Sequence, residues 1–143
     1  MRKGFTLFEI IVVFGLIALI STVSAVYLRA YQSKSILDSS ARDVLSNLRL
    51  ASELASTTQI IHSVHFDLQN SNYRITNTST PNTIIKSTTL DPSISIASTT
   101  LTDQTAQFNI LGAATVSGTI TLTDKNNTQK IIDLRPSGYV EIR

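Results

Sequence analysis

Two hydrophobic patterns follow one another along this chain, the first continuous and the second periodic. From Phe5 to Leu28 the residues are almost wholly apolar, and Glu9 is the only charge between Lys3 and Arg29. Those 24 residues make about 36 Å of helix at 1.5 Å per residue, against a hydrocarbon core of about 30 Å. Length and composition predict a membrane-spanning segment, with Arg2 and Lys3 kept on the cytoplasmic side. Glu9 is the anomaly. A carboxylate at the bilayer centre costs on the order of 3 kcal/mol, less near the edge, and such groups are usually paired. No Lys or Arg lies within a helical turn after it.

From Ile36 to Ala55 the pattern becomes periodic. Leu37, Ala41, Val44, Leu45, Leu48, Ala51 and Ala55 recur at steps of mostly three and four, the mark of one helix face. Asp38, Arg42, Asp43, Asn47, Arg49 and Glu53 fill the other positions. No proline occurs before Pro81, so one helix is predicted over 5–57, membrane-spanning at about 5–28 and amphipathic beyond. A stripe of Leu and Ala needs a sheet to cover it.

After Thr58 the period drops to two. Ile60, His62, Val64, Phe66 and Leu68 alternate with Ile61, Ser63, His65 and Asp67, predicting a half-buried strand. Turn residues at Gln69–Asn72 and a return at Tyr73–Ile75 make a hairpin. A polar loop holding Pro81 spans 77–82. Further strands are predicted at Thr83–Lys86, Ile94–Ile96, Gln107–Leu111, Gly118–Leu122, Lys130–Leu134 and Tyr139–Ile142. Asp124–Asn127 and Pro136–Gly138 read as turns. The fold class is α+β: a long N-terminal helix packed on an antiparallel β domain at 58–143.

Charge and composition narrow the functional classes. The net charge of +2 resides in the first four residues, since losing Arg2 and Lys3 leaves ten basic and ten acidic side chains. The basic pI is therefore no argument for nucleic-acid binding. With no cysteine there is neither a disulfide nor thiol chemistry. Ser and Thr supply 37 residues, which suits exposed strands in an extracytoplasmic setting.

Gly4-Phe5-Thr6-Leu7-Phe8-Glu9, followed by the apolar run, resembles the class III signal of type IV pilins and type II secretion pseudopilins. The resemblance implies a leader at 1–4, cleavage by a prepilin peptidase between Gly4 and Phe5, and N-methylation of Phe5. It also implies that Glu9 of one subunit pairs with the Phe5 amine of a neighbour on assembly. Leu45–Ala55, Phe108, Gly112, Ser117–Leu122, Ile131-Ile132 and Ser137–Val140 are similar to the GspH/FimT group of minor pseudopilins. The expected protein is thus a pilin-like structural subunit in the bacterial cytoplasmic membrane, with its C-terminal domain extracytoplasmic, later built into a filament. Its partners would be the peptidase, the inner membrane and other pilin-type subunits. A conventional secretory signal cut after Val23-Ser24-Ala25 and a plain single-span anchor are the plainer alternatives.

Some members of the same group bind DNA during uptake, which gives a second expectation, a DNA-binding minor pilin of a competence pilus. Its candidate contacts are Lys125, Lys130, Arg135 and Arg143, interleaved with Asp124, Asp133 and Glu141. An ordinary strand edge of mixed sign accounts for the same residues. His62 and His65 lie three apart on a predicted strand and so point to opposite faces, which makes a buried, hydrogen-bonded His62 the simplest reading. No nucleophile elbow, phosphate loop or calcium loop is present. No catalytic residue, metal site or cofactor is expected.

Overall fold

The computed structural model describes residues 6–78 and 83–143, and of residues 23–30 the backbone alone. The expected leader at 1–4, Phe5 and the Pro81 end of the polar loop lie outside the described residues. The chain divides into two units, residues 1–33 and 34–143. In the first, the described element is the opening of helix α1, which runs Leu7–Thr58 and enters the second unit. Of the predicted span at 5–28, Phe5 and the side chains of 23–28 are not described. Among the described residues, no helix is long and apolar enough to cross a membrane.

The second unit holds the rest of α1 and eight strands. These are β1 His62–Asp67, β2 Asn72–Asn77, β3 Ile84–Thr89, β4 Ile94–Thr99, β5 Thr105–Phe108, β6 Gly118–Asp124, β7 Gln129–Leu134 and β8 Val140–Ile142. They form two antiparallel four-stranded sheets, ordered β3-β2-β1-β5 and β4-β6-β7-β8. The chain changes sheet three times, between β3 and β4, between β4 and β5, and between β5 and β6. The three predicted hairpins, β1-β2, β6-β7 and β7-β8, are all formed.

The helical stripe does what its spacing requires. Leu37, Ala41, Val44, Leu48, Ala51 and Ala55 are completely buried, while Leu45 sits at the edge of the core. They share one cluster with Val64, Phe66, Tyr73, Ile75 and Phe108 of the first sheet and Ile120, Leu122, Ile132, Leu134 and Val140 of the second. Ala41, Ala51 and Ala55 on the helix share that cluster with large side chains on the strands.

Three features depart from the sequence reading. Asn47 belongs to the polar set on the helix, yet it is buried. Its Nδ2 donates to the Asp43 carbonyl at 2.7 Å and to Tyr73 Oη at 2.8 Å, and its Oδ1 accepts from Lys86 Nζ at 2.8 Å. A buried amide whose hydrogen bonds are met fixes the helix against β2 and β3. Asn47→Leu is expected to lower stability by about 1–3 kcal/mol in urea titrations, because the Tyr73 hydroxyl and the Lys86 ammonium both lose a partner.

The second departure is the strand expected at Gln107–Leu111, which stops at Phe108. Asn109 Oδ1 accepts from the Leu111 and Ala113 amides, and the Gly112 amide donates to the Asn109 carbonyl at 2.8 Å. This local turn outcompetes the ladder and leaves Leu111 exposed. The third is a short 3-10 turn, Thr102–Gln104, at the entry to β5, with Asp103 and Gln104 at positive φ.

Candidate functional site

The sequence places its candidate chemistry at two ends of the chain. At the N-terminal end, Gly4 and Phe5 lie outside the described residues, and Glu9 is the described member of that group. It occupies the first turn of α1. The Glu9 amide donates to Thr6 Oγ1 at 3.3 Å. Thr6 is thus the N-cap and Glu9 the third helical residue, the Thr-x-x-Glu spacing of a capping box. An acid in the first turn also complements the positive end of the helix dipole. The Glu9 backbone amide, and its acid in the first turn, therefore have a local setting that sequence reading passed over, although the Thr6-x-x-Glu9 spacing was there to be seen.

Behind the cap every described side chain from Thr6 to Thr22 is exposed. Eleven of them are large and apolar, from Leu7 to Ile20. Covering such side chains is worth roughly 1.5–3 kcal/mol each, so the rod as a whole stands to gain tens of kcal/mol from an apolar environment. A carboxylate at the centre of a bilayer costs on the order of 3 kcal/mol, and less near its edge. The single acid cannot keep the rod in water. Two described hydroxyls of the rod turn back on it: Ser21 Oγ donates to Ile17 O and Thr22 Oγ1 to Leu19 O, both at 2.8 Å. Polar groups met inside the helix itself are what a surrounding without water demands.

At the C-terminal end the four candidate phosphate contacts are not a free cationic patch. Lys130 Nζ lies 3.1 Å from Asp38 Oδ1 on α1. Arg135 Nη2 meets Glu141 Oε1 at 2.5 Å and stacks over the Tyr139 ring at 5.6 Å. Arg143 Nη2 bridges Asp133 Oδ2 at 3.0 Å and Glu141 Oε1 at 3.2 Å. Hydrogen bonds from Arg135 and then Arg143 hold the Glu141 carboxyl below its ordinary pKa, and the Glu141 hydrogen bond raises that of Arg135. Lys125 sits apart from these three, in the β6-β7 turn.

The histidines fall on opposite sides of β1. His62 is buried with Val64 and Phe66, and its Nδ1 donates to the Ile60 carbonyl at 2.7 Å. His65 lies on the outer face, 2.8 Å from Thr105 Oγ1. Burial, and then the charge of Arg74 opposite it on β2, lower its pKa, so it is neutral near pH 7.

Behind the C-terminal motifs is a packing junction. Ser52 Oγ on the helix donates to the Gly112 carbonyl at 2.7 Å. Gly138, at φ +83°, lies so close to that carbonyl that a side chain there has no room. Gly112 and Gly138 are thus where a loop, a hairpin turn and the helix meet.

No protein-family model matches the chain, and no curated protein matches it either. Solved structures do. A structure of the minor pseudopilin EpsH of the type 2 secretion system of Vibrio cholerae aligns with TM-score 0.65 and 16% identity, covering 75% of this chain and 95% of that one. A crystal structure of the same EpsH aligns with TM-score 0.66 and 14% identity, covering 76% and 94%. The type IV minor pilin FimU of Pseudomonas aeruginosa aligns with TM-score 0.63 and 11% identity, covering 79% and 92%. The chain has the pseudopilin and pilin fold.

Proposed function

We propose that this chain is a structural minor subunit of a type II secretion pseudopilus or type IV pilus, and not an enzyme. On this reading a prepilin peptidase removes residues 1–4 and Phe5 becomes the N-methylated terminus. Residues from about 5 to 28 hold the precursor in the cytoplasmic membrane, with the β domain extracytoplasmic. Assembly then packs the apolar rod against those of other pilin-type subunits, and the Glu9 carboxylate meets the Phe5 amine of a neighbour.

The observation that carries the proposal is the capped rod itself. Eleven large apolar side chains stand exposed on a rod that carries one acid among its described side chains, on a chain of which 75% aligns with a minor pseudopilin and 79% with a type IV minor pilin. Membrane and then filament would cover those side chains in turn. The DNA-binding alternative draws on cations of which three already face carboxylates, so phosphates would have to displace neutral pairs.

The test is incorporation. In cells that make the filament, the epitope-tagged chain is expected to co-sediment with sheared filaments when the prepilin peptidase is present and to stay in the membrane when it is deleted. A chain absent from filaments in both strains counts against the proposal. A salt-sensitive gel shift with duplex DNA, given by the β domain alone, would favour the alternative.

A further inference from the structure

The first sheet carries a hollow on the face turned away from the core. Its volume is about 450 Å³, within the range of about 300–1,000 Å³ usual for small-ligand sites. Strands β2, β1 and β5 give its floor, and the 3-10 turn adds Thr102 and Asp103. Thr76 on β2 and Gln107 on β5 both stand directly opposite Ser63 on β1. Residues paired in this way point to one face, so the three side chains make a row. His65 and Thr105 are paired in the next row.

The polar ends of these side chains are not used up within the protein. Ser63 is only 4% exposed, yet its hydroxyl has no hydrogen-bond partner among the described residues, and it lines the hollow. A hydroxyl buried this far normally has a partner. The Thr76 hydroxyl has none among the described residues either. Gln107 Oε1 accepts from Thr115 Oγ1 at 3.1 Å, which leaves the two amide hydrogens on its Nε2 to spare. Thr105 Oγ1 donates its one proton to the Asp103 carbonyl at 2.9 Å, so at 2.8 Å it must accept from His65 Nδ1. The Nε2 of the neutral ring is then an acceptor.

These groups select the chemistry of an occupant. No Lys or Arg is among the lining residues, and Asp103 is the one acid, so an anion has nothing to pair with. Arg74 lines the neighbouring hollow instead, with Asp67. Val116 is the one apolar side chain of the lining, which disfavours a greasy ligand. Strand β1 is paired on both sides, so its backbone cannot take up an added strand. What fits is a neutral molecule whose groups both donate and accept. Hydroxyls do both, and they meet the Ser63 and Thr76 hydroxyls, the Gln107 amide and His65 Nε2 equally well. We propose that this hollow binds a neutral mono- or disaccharide. The site lies within the β domain and does not depend on how the N-terminal helix is processed or packed.

The test is a titration of the full chain, isotope-labelled at its amide nitrogens and held in a phosphocholine detergent that carries no sugar. Maltose and N,N′-diacetylchitobiose are the probes, and inorganic phosphate is the charged control. At least one sugar is expected to shift the amides of Ser63, His65, Thr76, Thr105 and Gln107 saturably, with a dissociation constant in the millimolar range. Ser63→Ala should weaken that binding by about three- to tenfold, one hydrogen bond's worth. Gln107→Glu keeps the acceptor for Thr115 and removes both spare donors, and should weaken it at least as much. Unchanged amide positions elsewhere in the spectrum show that each variant is folded. Four results overturn the proposal: no saturable shift with either sugar, shifts centred on another surface, both variants binding as the parent does, or phosphate moving the same amides as strongly as the sugars.

Discussion

Glu9→Gln is expected to leave the chain in the membrane fraction at its normal level and to bring its incorporation into filaments down to background. The substitution separates the two roles that meet at this residue. Glutamine serves a capping box as glutamate does, so Thr6 still receives the amide at position 9 and the helix start is kept. The charge alone is lost. If the carboxylate mattered only as part of the cap, Glu9→Gln would behave as the parent and Glu9→Ala would lose at most about 1–2 kcal/mol of local stability. If it is relieved on assembly by a neighbour's terminal amine, both variants lose that relief. An unpaired charge costs up to about 3 kcal/mol, the bilayer-centre value, so losing the pair weakens each contact by at most on the order of a hundredfold. Membrane retention in both variants follows from the eleven exposed apolar side chains, which outweigh one carboxylate in either state.

Gly138→Ala is expected to destabilise the β domain by roughly 2–4 kcal/mol, with the left-handed conformation accounting for about 1–2 of that. The remainder comes from steric overlap. Gly138 sits at φ +83°, and its Cβ would fall on the Gly112 carbonyl oxygen. That oxygen is held in place by Ser52 Oγ on the helix, so relief means parting the turn from the loop or the loop from the helix. In a domain of about this size each kcal/mol moves the melting temperature by about 4–8 °C, and thermal denaturation followed by circular dichroism reads the shift. Gly118→Ala is the matched comparison. A Cβ there meets Thr100 Oγ1 at 2.8 Å, Leu101 Cδ2 at 3.0 Å and the Leu101 amide nitrogen at 3.3 Å, looser than the overlap with the Gly112 carbonyl oxygen at Gly138, and no positive φ is involved. Its effect should be clearly the smaller.

The parts of this structure that were legible in the sequence were those set by periodicity. Leu37 to Ala55 repeats at helical spacing and is the buried stripe, and the hairpins at Gln69–Asn72, Asp124–Asn127 and Pro136–Gly138 carry turn residues between alternating runs. What periodicity could not give was the identity of partners. Asn47 is polar by type, and its burial depends on Tyr73 and Lys86 arriving from strands 26 and 39 residues away. Ile110 and Leu111 continue an apolar run, but the Asn109 side chain folds the backbone back on itself before they can extend it. The division into two sheets comes from three crossings, at the first of which, from β3 to β4, Leu90 is buried and its amide donates to Ser71 O. At the N-terminal end the acid and the apolar run were plain, whereas the cap was visible only as a spacing between two residues read separately. The four C-terminal cations were read as a set because they lie close in sequence. Two of their carboxylate partners, Asp133 and Glu141, were visible among them as a strand edge of mixed sign, whereas Asp38 comes from the helix, which no local pattern connects to them.

The most direct measurement is the mass of the N-terminal peptide of the mature chain recovered from cells. A peptide that begins at Phe5 and carries one added methyl group is the predicted result. A chain that begins after Ala25, or that keeps Met1 where the peptidase is active, would contradict it.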